Sequence, residues 1–268
     1  MSLTTTIVHK IPPRFKQALR RNRQIDILLR RSFALVMRVS GRTAIIESGP
    51  LAGMRLAISE HTSHTYIRGT YEVEMQRALD RLVRPGDICY DLGASIGYMT
   101  LLMARKAKRV YSFEPAPHAA KQIVANIRVN DLSNVEIVRR PVSDSERDVE
   151  FALTDNAYGS SIARDNKWPM LKLHSTSLDR FVEDHPIPHF LKIDVEDEEV
   201  RVLKGATRLL AEQRPRICCE LHSLRSANEV LEILAHKGYF VTKLDGSPFV
   251  PPRNVSTGEE PQILAVPR

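Results

Sequence analysis

Cysteine is scarce in this chain, and its pattern excludes two common roles. Cys89 stands alone and Cys218 and Cys219 are neighbours, so the three thiols have neither zinc-ligand spacing nor the look of a secreted disulfide framework. All three fall in apolar runs, where cysteine serves as a small buried hydrophobe, and a reduced, cytoplasmic setting is the expectation. Long apolar runs are missing as well. Nowhere do 18 apolar residues follow one another, so no membrane span is expected, and the first residues lack the unbroken apolar core of a signal peptide. Repeats and low-complexity tracts are absent. Surplus positive charge is largely absent too, once it is located. The net charge is +7, but residues 1–40 hold nine Lys or Arg against Asp26, which leaves −1 for the rest. A basic groove for nucleic acid is therefore not expected.

What remains is a globular composition, 43% hydrophobic and 26% charged over 268 residues, which suits one domain with a small appendage. Residues 1–42 read as a basic amphipathic helical extension. Ile25, Leu28, Leu29, Phe33 and Val36 recur at helical spacing, with Arg23, Arg30, Arg31 and Arg38 elsewhere on the wheel. Two roles stay open: packing on the main domain or on a second copy in a homodimer, or peripheral contact of residues 12–39 with an anionic membrane. Residues 43–268 read as the main domain, with a small β preface over 43–64, a core over 65–245, and a loop and final strand over 246–268. Thr70 reads as a helix cap, with Glu72 and Glu74 in the first turn. Strand patterns follow at 88–92, 110–114, 135–138, 190–194, 216–221, 239–244 and 263–266. Helical patterns lie between them, including 117–130, 198–211 and 227–237, and residues 149–153 and 170–173 suggest an antiparallel pair. The expected fold is α/β: a doubly wound, mainly parallel seven-stranded sheet with ligands above its carboxyl ends.

The first core strand runs from Pro85-Gly86 through Ile88–Leu92 into Gly93-Ala94-Ser95-Ile96-Gly97 and then a helix. Glycines there let the backbone approach a ligand closely. A dinucleotide fingerprint needs G-x-G-x-x-G, and here Ser95 stands at the middle glycine. Asp91 at the strand end would repel a pyrophosphate and welcome a cation. S-adenosylmethionine, with its ammonium and sulfonium, fits D-x-G-x-x-x-G better. Glu114 ends the second strand 23 residues after Asp91, about where an acid takes up ribose hydroxyls. By position, Ser143 and Asp144 after the third strand fall near the adenine.

Further acids collect at later strand ends. Alternation in Lys192-Ile-Asp194-Val-Glu196 puts three polar side chains on one side, with Lys192 offsetting the desolvation of a carboxylate. Glu220 and His222 end the fifth strand, where His222 is a candidate base oriented by Glu220. No spacing here points to a metal site, and no metal is assigned.

Phe190-Leu-Lys-Ile-Asp-Val-Glu196, Glu199, Val202-Leu-Lys-Gly-Ala206, Arg214-Pro-Arg-Ile217 and Glu220-Leu-His222 together resemble the FkbM family of S-adenosylmethionine-dependent methyltransferases. Asp91–Tyr98, Phe113-Glu114-Pro115, Asn126–Asn130, Ser177-Leu-Asp179 and Gly69-Thr-Tyr-Glu72 agree with it. Two positions depart: Ser95 stands where the family usually has Asn, and Asp197 where it usually has Gly. The resemblance implies a Rossmann-like class I methyltransferase fold. It also implies cofactor contacts at Glu72, Asp91, Gly93, Ala94, Ser95, Gly97, Tyr98, Glu114, Pro115, Ser143, Asp144 and Asp194. The reaction it implies is O-methylation of hydroxyls on sugars, glycoconjugates or secondary metabolites. Asp194, Glu196, Glu220 and His222 are then the catalytic candidates, because an aliphatic hydroxyl needs a base. An N-methyltransferase, a non-catalytic cofactor-binding protein and a membrane-associated protein remain alternatives at this stage. Tyr158 and Trp168 could stack on an acceptor ring.

Overall fold

The computed structural model describes residues 43–59, 62–153, 161–162, 169–250 and 261–268. The expected helix over 12–39, Tyr158, Trp168 and residues 251–260 of the final loop lie outside the described residues. In chain order the elements are β1 (Thr43–Ile45), β2 (Arg55–Ala57), α1 (His64–Arg68), α2 (Val73–Leu82), β3 (Ile88–Leu92), α3 (Tyr98–Ala104), β4 (Arg109–Phe113), α4 (Pro117–Val129) and β5 (Val135–Val138). They continue with β6 (Asp148–Ala152), β7 (Ser161–Ile162), β8 (Met170–His174), α5 (Leu178–Asp184), β9 (Phe190–Ile193), α6 (Glu199–Lys204), a π-turn (Leu209–Gln213), β10 (Arg216–Glu220), α7 (Leu224–His236), β11 (Tyr239–Lys243) and β12 (Gln262–Pro267).

Seven strands form the central sheet in the order β11-β12-β10-β9-β3-β4-β5, and only β12 runs against its neighbours. The chain winds outward from β3 to β5, then crosses back to β9. That reversal leaves a crevice above the carboxyl ends of β3 and β9, where open α/β sheets take their ligands. All five residues of β3 are buried, so the strand reads as a continuous apolar run. Its alternate side chains feed two cores. Ile88, Tyr90 and Leu92 join Tyr111, Phe113, Leu191 and Ile217 on one face. Cys89 joins Val110, Phe190 and Cys218 with Met75, Leu79 and Leu102 of α2 and α3 on the other. The cysteines are free and buried, as their apolar setting suggests. β1 and β2 make the expected small hairpin, and β6 and β8 the expected antiparallel pair, with β7 added at its edge. No helix among the described residues is long and apolar enough to cross a membrane.

Two local expectations fail for steric reasons. Thr70 does not cap α2. A separate short helix, α1, is capped by Ser63 and closed by Gly69, and α2 begins at Val73 with Glu72 as its N-cap residue, whose φ of 40° places it in the left-handed region. Gly69 is obligatory there, since a Cβ on it would stand 1.9 Å from the Ser48 carbonyl oxygen. Nor is 198–211 one helix. At Gly205 the chain passes so close to Ser143 that a Cβ would lie 2.2 Å from its carbonyl oxygen, and α6 ends beside it.

Candidate active site at the ends of β3 and β9

Asp91 and Lys192 are register partners on β3 and β9, so their side chains share one face of the sheet. Both are buried, Asp91 fully. Lys192 Nζ lies 2.9 Å from Asp194 Oδ2, 3.6 Å from Asp91 Oδ1 and 3.3 Å from the Gly93 carbonyl oxygen. The Thr100 hydroxyl donates to the other Asp91 oxygen and meets Ser112 Oγ at 2.9 Å. Asp91 is thus part of a buried polar network, not the bare anion its position suggested. Burial pushes its carboxyl up, against Lys192 and Thr100. At Asp194 burial acts the same way, but Lys192 and His222 outweigh it and hold the carboxyl low. Burial also disfavours the Lys192 ammonium, and Asp194 and Asp91 more than reverse this.

The glycine loop is shaped by packing as well as by ligand access. Gly93 has φ 77°, and a Cβ on it would stand 1.7 Å from the Asp194 carbonyl oxygen; Gly97 backs onto Ile123. Ser95 takes φ 50°, so the position usually held by Asn keeps a left-handed backbone. The Ala94 amide is spent on Phe113. Glu114, next to Pro115, accepts from the Ser95 amide through Oε2 and from the Ala116 amide through Oε1, both at 2.8 Å. This seats its carboxylate against the loop, in the same region as Asp91. Burial raises that carboxyl to about 8 despite the two amides. Tyr98 points elsewhere: its hydroxyl donates to the Tyr66 carbonyl, and its ring packs with Tyr66 and Tyr71. Ser143 and Asp144 have partners of their own. Their side chains meet Arg147 and Arg201, and the Ser143 amide meets Thr176, so no hydrogen bond ties them to the loop.

The catalytic candidates do converge. Oxygens of Glu72, Asp194 and Glu220 lie within 4.8 Å of one another, and so do ligand atoms of Asp194, Glu196 and His222. The orientation of His222 differs from expectation. Its Nδ1 is 2.8 Å from Glu199, not Glu220, and its Nε2 faces Asp194 at 3.4 Å and Glu196 at 3.9 Å. Burial lowers the imidazole, but hydrogen bonds with Asp194 and Glu199 win and lift it to about 11. The carboxylates of Asp194 and Glu199 thus favour the protonated ring, which weakens His222 as a base. Glu220 instead accepts from Gln262, its register partner on β12. Burial, then Asp194 and Glu72, raise its carboxyl. Glu72 is raised in the same way, chiefly by burial. Asp197 takes φ 72° and Glu196 φ 52°, so the turn usually made with Gly is kept at the cost of backbone strain. Sequence reasoning missed Glu199 and Gln262 as partners. Glu199 looked like an ordinary first-turn acid of a helix, and nothing local marks Gln262.

These residues fit a cationic methyl donor. Asp91 Oδ1 and Glu72 Oε2 are buried without a hydrogen bond of ordinary length; Lys192 Nζ stands 3.6 Å from the former and the Tyr71 side chain interacts with Glu72, and an ammonium would complete what these contacts leave open. Glu114 is placed to take ribose hydroxyls, and the surrounding carboxylates outnumber Lys192 and His222.

Comparison with known proteins agrees. A family model described as the methyltransferase FkbM domain matches residues 91–241. An uncharacterized protein of Methanocaldococcus jannaschii is 32% identical over 92 residues, 34% of this chain and 36% of that protein. The hexuronic acid methyltransferase AglP of Haloferax volcanii is 27% identical over 168 residues, 61% of this chain and 68% of its own length. The chain thus spans about a third of the first relative and two thirds of the second. A methyltransferase FkbM from Methylobacillus flagellatus superposes with a TM-score of 0.48 at 16% identity, covering 76% of this chain and 55% of that one. The chain belongs to the FkbM methyltransferase family, and S-adenosylmethionine is its methyl donor.

Proposed function

We propose that this enzyme methylates a hydroxyl oxygen of a sugar, glycoconjugate or secondary metabolite. The observation that supports this most is the Glu72, Asp194 and Glu220 group beside the glycine loop. An aliphatic hydroxyl is a poor nucleophile until a base draws off its proton, and a base works best when its pKa lies near the working pH. Glu220 meets that condition, since burial lifts its carboxyl toward neutrality. Asp194 does not, because Lys192 keeps it ionised and occupied. His222, biased toward its protonated form by Asp194 and Glu199, acts as a donor that orients the acceptor, with Glu199 fixing the ring. When bound, S-adenosylmethionine supplies an electrophilic methyl on a sulfonium, and alignment of the acceptor oxygen provides most of the acceleration. The proton of the acceptor hydroxyl passes to the Glu220 carboxylate. Glu196, the more exposed acid, lines the approach.

A relative named as a hexuronic acid methyltransferase supports a sugar acceptor. The local charge favours a hydroxyl over a carboxyl as the reacting group, because an acceptor carboxylate would enter among Glu72, Asp194, Glu196 and Glu220. The test is incubation with isotopically labelled S-adenosylmethionine and a panel of neutral glycosides, uronic acids and amino sugars. An alkali-stable methyl ether is expected. An alkali-labile ester, or a methylated amine formed equally well by E220Q, would contradict the proposal.

A further inference from the structure

At the amino ends of β3, β4, β9 and β10, opposite the carboxylates, lies a cavity of about 840 Å³. Arg84, Lys108, Arg109, Arg214 and Arg216 line it, against one carboxylate, Asp87. Two of these cations are neutralised: Arg216 pairs with Asp87 at 2.7 Å, and Arg109 pairs with Glu136 on the rim. Arg84, Lys108 and Arg214 have no carboxylate partner among the described residues. Arg214 is nevertheless held in place. Its guanidinium donates to the Lys237 and Gly238 carbonyls and lies over the Tyr239 ring, and its backbone sits at φ 51°. His189 adds a donor, because the Ile88 amide donates to its Nδ1 at 3.0 Å and so leaves the hydrogen of the neutral ring on Nε2.

Arg84 and Lys108 are exposed at the mouth and Arg214 is half-buried beside them, so three positive charges face one concave space and make it attractive to an anion. We propose that this cavity binds a small phosphorylated anion, with Arg84, Lys108 and Arg214 as counter-charges and His189 as a further donor. Two arginines favour phosphate oxygens, whose geometry matches the guanidinium fork. Three uncompensated cations match an anion with two phosphates better than a single carboxylate. The volume is that of a small-molecule site, typically about 300–1,000 Å³. The four steps of β3 from Ile88 to Leu92 separate the cavity from the glycine loop by roughly 13 Å. The anion would therefore anchor or regulate the enzyme and not react in the methyl-transfer site.

The test is isothermal titration of the full chain with sodium pyrophosphate, for the wild type and for R84Q/K108Q. Both side chains are exposed and make no hydrogen bond or ion pair with the described residues, so the double variant should fold and bind S-adenosylmethionine normally. Saturable one-site binding is expected, weakened about tenfold or more in the variant. At a hundredfold excess over Kd, pyrophosphate should raise the wild-type Tm by about 5–10 °C. Three results would overturn the proposal: no binding by the wild type; equal binding by R84Q/K108Q, which would move the anion to the basic residues 1–42; or binding to phosphatidylglycerol vesicles with none to pyrophosphate.

Discussion

Lys192 stands between two carboxylates and cannot serve both equally. It sits nearer Asp194, so Asp194 is the permanent anion and Asp91 the strained partner. The titratable negative charge that meets a cationic donor thus comes from Glu72 and Asp91 once they lose their protons. Both are raised above the ordinary carboxylate range, so their charge grows as pH rises. The ratio of affinities for S-adenosylmethionine and the uncharged thioether S-adenosylhomocysteine should then increase between pH 6 and 9. A ratio independent of pH in paired titrations would contradict that charge assignment. His222 gives a prediction of opposite slope. Its folded pKa of about 11 exceeds the ordinary 6.5, so its contribution to stability is complete below about 6.5 and fades as pH climbs through 11. Urea midpoints of wild type and H222Q should lie farthest apart at pH 6 and draw together by pH 10; a constant gap would show that the ring is not charged. The sequence placed His222 at the right strand end but with the wrong partner. The carboxylate comes from α6, 23 residues earlier, and only the packing of α6 against α7, just beyond His222, brings them together.

Elements, by contrast, were largely readable. β3, β9 and β10 are buried on both faces, so each announces itself as a short apolar run. Breaks decided by contact with distant backbone were not readable. Gly69 and Gly205 mark such breaks, and their constraints lie in Ser48 and Ser143, remote in sequence. Gly93 belongs with them, although its motif suggested ligand access alone. Gly93→Ala should force the β3 loop away from β9, because its Cβ would overlap the Asp194 carbonyl. Strain from the positive φ and from the clash should together cost roughly 3 kcal/mol or more. Urea unfolding and S-adenosylmethionine titration should both be affected; a variant with wild-type stability and affinity would show that this contact does not fix the loop.

Across the whole molecule the sheet separates charge by end. Carboxylates gather where β3, β9 and β10 finish, and uncompensated arginines and lysine gather where they begin. The near-neutral total of the body hid this, because a net charge says nothing about which end of a strand carries it. The doubly wound, mainly parallel sheet follows from the alternation of strands and helices, whereas the Glu220–Gln262 pairing depends on β12 inserting antiparallel beside β10. The account rests on Glu220 as the group that takes the acceptor's proton, and its most direct test is a single-turnover pH–rate profile of wild type and E220Q on a hydroxyl acceptor. The wild-type rate should rise with pH, reach half its plateau near pH 8 and level off about a unit above, and E220Q should lose about a hundredfold or more together with the rising limb. An unchanged rate and profile in E220Q would contradict it.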